Sequence, residues 1–132
     1  MKKKNSVSEF TGERSLALLK NFRESLARQS QISLQRAFAD AAEAPAPRFW
    51  VSEARATVII RKMIAGEDMT SGMYPEKARM YLEIYDRVMR LHLEEPSTPL
   101  GDLVFRVVNE PAPSSYISPE RARKLIYKSK KT

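Results

Sequence analysis

Apolar residues recur at helical spacing along most of the chain. Between Glu13 and Arg28, Leu16, Leu19, Phe22 and Leu26 fall three or four positions apart, the period of one helix face. A second stripe, Leu34, Ala37, Phe38 and Ala41, follows Ser33, a natural N-cap, and runs to about Glu43. Pro45 and Pro47 stop that helix, because proline lacks an amide donor and restricts the residue before it. Ser52 then caps a third helix with Ala56, Ile59, Ile60 and Met63 inward, ending at Gly66. The second half reads in the same order. Pro75 opens a helix to about Leu93 that carries Met80, Ile84, Tyr85, Val88 and Leu91. Thr98-Pro99 supplies a cap and a proline at the first helical position, with Leu100, Leu103, Val104 and Val107 inward. Ser118-Pro119 repeats the device before a last helix with Ala122, Leu125, Ile126 and Ser129 on its inner side. Four glycines and few alternating stretches argue against a β-sandwich. The pattern predicts an all-α fold.

The two halves are also alike residue by residue. Residues 45–63, PAPRFWVSEARATVIIRKM, align without a gap on 111–129, PAPSSYISPERARKLIYKS, at an offset of 66. Eight of these 19 positions are identical, where background usage gives roughly one. The expected architecture is therefore a pair of pseudo-repeats of 66 residues, each a three-helix unit, packed as one compact body. The expected domains are 1–66 with a basic N-terminal tail and 67–132 with a basic C-terminal tail. Trp50 and Tyr116, just ahead of each third helix, are expected in the core rather than stacked on bases. Val51 and Ile117 there suit packing back on Ala56 and Ala122.

Charge changes the picture from fold to partner. The net charge is +7, and it is unevenly placed: +3 over residues 45–66 and +5 over 114–132, against −4 over 67–113. On the third helix, Arg55 and Lys62 lie seven apart and share one side, and Arg121 and Lys128 repeat the arrangement with Lys124 farther out. Arg61, Lys130 and Lys131 add to the two neighbourhoods. Long cationic side chains on a rod held by an apolar underside suit contact with phosphate. These eight residues are the candidate nucleic-acid-binding set, and duplex DNA is the expected partner. The acidic segment 67–113 motivates the alternative, a helical interaction or scaffold module that binds a protein partner or another copy of itself.

Three short helices with a capped, basic third helix after a turn resemble the helix-turn-helix class of DNA-binding domains. That resemblance implies a last helix entering the major groove, displaying Arg55, Val58 and Lys62 in one copy and Arg121, Lys124 and Lys128 in the other. The joint differs from the class, being eight residues with two prolines rather than three or four with a glycine. The paired motif also looks like one found in small uncharacterised bacterial proteins.

Catalytic chemistry finds little to work with. The chain has no cysteine, and His92 is its single histidine, expected on the surface near a helix end. No glycine-rich phosphate loop occurs. The expectation is no enzymatic activity, no cofactor and no metal. The basic start lacks a following apolar stretch, and no window approaches about 18 apolar residues, so the sequence predicts a cytoplasmic protein with neither leader nor membrane contact.

Overall fold

Helix boundaries follow the local chemistry closely. The computed structural model describes residues 10–130, the side chain of Lys130 excepted. These residues form six helices: α1 Thr11–Arg28, α2 Leu34–Glu43, α3 Glu53–Ile64, α4 Pro75–Glu94, α5 Leu100–Val108 and α6 Pro119–Lys130. Ser33, Ser52 and Ser118 each accept a hydrogen bond from the amide three residues on, at 3.1, 3.2 and 3.2 Å. Pro75 occupies the first position of α4, where its missing amide costs nothing. Gly66, at φ +92°, closes α3 in the left-handed region that side chains avoid. Thr98 does not cap α5: its hydroxyl donates to Glu95 Oε1 at 3.1 Å, and Pro99 holds the cap position without a side-chain bond.

The helices group in a way that chain order conceals. One compact unit takes the chain up to Ala46 and again from Pro113, and the other is the continuous stretch Pro47–Ala112. Unit one therefore packs α1 and α2 with α6, and unit two packs α4 and α5 with α3. The expected division into 1–66 and 67–132 would have kept each third helix with its own half; here the third helices are exchanged. Their inner faces explain why exchange is sterically open. Ala56 and Ile60 of α3 match Ala122 and Ile126 of α6, and all four are fully buried.

In unit one, Leu18, Leu19 and Phe22 of α1 meet Ala37, Phe38, Ala41 and Ala42 of α2 and Ile117, Ala122 and Ile126 at α6. The small alanines let helix backbones come close, and Phe22 and Phe38 fill the remaining space, stacked 4.7 Å apart. Tyr127 of α6 meets Phe38 edge-on at 5.7 Å. In unit two, Ile60 of α3, Tyr81, Ile84 and Val88 of α4, and Leu103, Val104, Val107 and Val108 of α5 are all buried.

Some expectations about buried positions also need correcting. Leu16 and Leu34 were placed on inward stripes, yet they are 64% and 50% exposed. The buried line of α1 is instead Ser15, Leu18, Leu19, Phe22 and Ser25, so the face is rotated toward two serines. Ser25 is tolerated there because its hydroxyl donates to Asp40 at 2.7 Å, which satisfies the buried polar group. Trp50 is buried as expected, whereas Tyr116 is only half-buried and takes a left-handed φ of 54°.

Candidate nucleic-acid interface

Each third helix begins from a loop held by arginine. In unit two, Arg48 Nε donates to the carbonyl of Phe49 at 2.8 Å and its Nη2 to that of Val51 at 2.9 Å. In unit one, Arg14 of α1 does the corresponding work from far away in the chain, donating to the carbonyls of Ser115 at 2.6 Å and Tyr116 at 3.2 Å. Phe49 and Ser115 are counterparts at the offset of 66. Ser52 and Ser118 then set the first turns, so the direction of each basic helix is fixed from behind.

On α6, Arg121, Lys124 and Lys128 are exposed, and on α3, Arg55, Arg61 and Lys62 are exposed. None of the six forms an ion pair among the described residues. Other arginines do: Arg87 with Glu83 and Glu110, Arg90 with Asp86, Arg106 with Glu95, and Arg36 with Asp40. Val58 is also displayed on α3, half exposed. Lys131 and the side chain of Lys130 lie outside the described residues. The structure brings Arg121, Lys124 and Lys128 into unit one and Arg55, Arg61 and Lys62 into unit two, so the expected site is divided between two bodies.

Two cations of unit one escaped the sequence reading. Arg123 is exposed on α6, its guanidinium 5.8 Å from the centre of the Tyr127 ring. Its counterpart is Thr57, so a search for repeated basic positions passes over it. Arg14 lies beside Arg121; burial foremost, and that neighbouring charge, push its guanidinium down to about 10. Among the described residues no acidic partner offsets it, and its Nε is buried without a hydrogen bond. Nothing in the spacing of α1 marks Arg14 out, because its role depends on a loop one hundred residues away.

The exchange of helices redistributes charge. Residues 10–46 and 113–130 of unit one carry ten Lys and Arg against five Asp and Glu, while unit two carries nine against ten. The chemistry available on α6 is electrostatic attraction and multidentate hydrogen bonding to anionic oxygens. Among the described residues, no group of three His, Cys, Asp or Glu is placed to hold a metal ion, and no helix is long and apolar enough to cross a membrane. Comparison with protein-family models, curated proteins and solved structures finds no match.

Proposed function

We propose that this protein is a non-enzymatic nucleic-acid-binding protein that presents basic helices to the phosphate backbone, with duplex DNA as its partner. The observation that carries the reading is the face of α6: Arg121, Lys124 and Lys128 at helical spacing, exposed, with no carboxylate neutralising any of them among the described residues. Uncommitted cations on a rigid rod are ready to replace counterions on a polyanion, and their release drives binding.

The two units are best understood as copies of one ancestral three-helix plan. Support comes from burial that recurs at the offset of 66: Leu18 with Ile84, Ala37 with Leu103, Ala41 with Val107, and Ile60 with Ile126 are all fully buried. Helix ends recur too, Arg28 with Glu94 and Ile64 with Lys130.

The alternative, docking of the acidic middle on a protein, loses part of its motivation. Glu83, Asp86, Glu95 and Glu110 are already engaged by arginines of their own unit.

Fluorescence anisotropy of a labelled duplex across a salt series tests the reading. With about six phosphate contacts, affinity falls on the order of 1,000-fold between 50 and 200 mM salt. No binding at 50 mM salt, or a flat response, refutes it.

A further inference from the structure

We infer that the nucleic-acid contact is confined to unit one, with α6 as its basic helix, and that α3, although it repeats the same positions, takes no part. The inference rests on the reading above and sharpens it.

The two helices have diverged on their outer faces while keeping their inner ones. Positions 57, 58 and 64 of α3 are Thr, Val and Ile, where α6 has Arg123, Lys124 and Lys130. Over α3 itself the three cations Arg55, Arg61 and Lys62 face one acid, Glu53, and Glu67 and Asp68 just beyond the helix bring residues 53–68 to balance. Those acids are exposed and near the helix ends, where a phosphate backbone following α3 would meet them. Asp68 stays ionised, because hydrogen bonds from Ser71 hold its carboxyl below its ordinary range. Across 119–130, five cations face the single acid Glu120.

The surroundings reinforce the contrast. In unit two, Arg87, Arg90 and Arg106 are paired with acids. In unit one, Arg36 with Asp40 is the single ion pair among the described residues, a loose one at 3.8 Å. Arg14 adds a desolvated positive charge behind Arg121. A polyanion approaching unit one meets surplus positive charge, and one approaching unit two meets rough neutrality.

Two triple variants of the full-length chain decide the matter: Arg121→Gln, Lys124→Gln, Lys128→Gln on α6, and Arg55→Gln, Arg61→Gln, Lys62→Gln on α3. All six side chains are exposed, so the helical circular dichroism and melting of both variants are expected to match wild type. For a labelled duplex at 100 mM salt, the α6 variant is expected to bind at least 50-fold more weakly. Its log–log salt slope should be shallower by about 2.7, three contacts at about 0.9 each. The α3 variant should stay within about threefold of wild type with an unchanged slope. Equal losses in both variants, or a greater loss from α3, overturn the inference while leaving the binding function standing. A wild-type protein that binds no duplex overturns both. Should the α6 triple variant lose helicity, Lys124→Gln and Lys128→Gln singly must each reduce the slope by about 0.9, and no change from either overturns the inference.

Discussion

The amide of Ser115 donates to the carbonyl of Ala42 across 3.2 Å, tying the loop before α6 to the C-terminal turn of α2. Unit two contains the same bond at the offset of 66, from the Phe49 amide to the Val108 carbonyl at 3.0 Å. In each unit, then, a helix end from one half of the chain receives the loop of the other half. A carbonyl in the last turn of a helix has no partner within the helix, and at the buried residues Ala42 and Val108 the partner is supplied by exchange.

Cutting the linker between Gly66 and Gly72 should therefore not release two bodies. A protease site inserted there leaves α1, α2 and α3 on one fragment and α4, α5 and α6 on the other, so each unit still needs both. After cleavage the fragments are expected to co-elute in size exclusion and to separate only in denaturant. Separation under native conditions would contradict the exchange.

Core and surface positions that look alike in sequence should differ in energy. Ile60→Ala and Ile126→Ala remove fully buried side chains and are each expected to cost about 2–4 kcal/mol in urea unfolding. Leu16→Ala and Leu82→Ala, at exposed positions of α1 and α4, are expected within about 0.5 kcal/mol of wild type.

Loss of the Ser118 hydroxyl leaves the Arg121 amide without its partner at the start of α6. Ser118→Ala is expected to cost about 1 kcal/mol, and Ser118→Asp to restore most of it, because a carboxylate also accepts that bond and favours a helix N-terminus. Urea unfolding of the two variants against wild type checks this.

Much of this architecture was legible in the pattern of residues. Six helices, the serine caps at 33, 52 and 118, and the proline at the start of α4 all follow from local chemistry that acts within a few residues. Helix pairing did not, because periodicity marks an apolar stripe without naming its partner. With Ala56 and Ile60 on one rod and Ala122 and Ile126 on the other, either third helix could seat on either pair. Leu16 misled for a related reason. Its spacing from Leu19 fits a stripe, but the buried face turns toward Ser25, whose partner Asp40 sits on another helix. Arg55, Arg61, Lys62, Arg121, Lys124 and Lys128 are exposed, as displayed cations should be, whereas their division between units followed from the exchange and stayed hidden with it.

Acid should weaken unit two through Glu95. Hydrogen bonds from Arg106 foremost, and from Thr98, hold its carboxyl below the ordinary range. The unfolded chain thus binds that proton more readily than the folded one. The stabilisation is fully present above the ordinary carboxylate pKa and disappears as pH falls through the lowered folded value. Thermal melts from pH 7 to pH 3 are expected to show a smaller loss for Glu95→Gln than for wild type. Equal losses would remove this carboxylate from the acid response.

The exchange of third helices underlies both the loop geometry and the concentration of positive charge in unit one, and proton–proton contacts in solution read it directly. In a methyl–aromatic NOE spectrum, the Ile126 methyls should give cross-peaks to the Phe38 and Phe22 rings, and the Tyr127 ring to Phe38. Cross-peaks from Ile126 to Ile84 and Val104 in their place would mean that α6 seats on its own half of the chain.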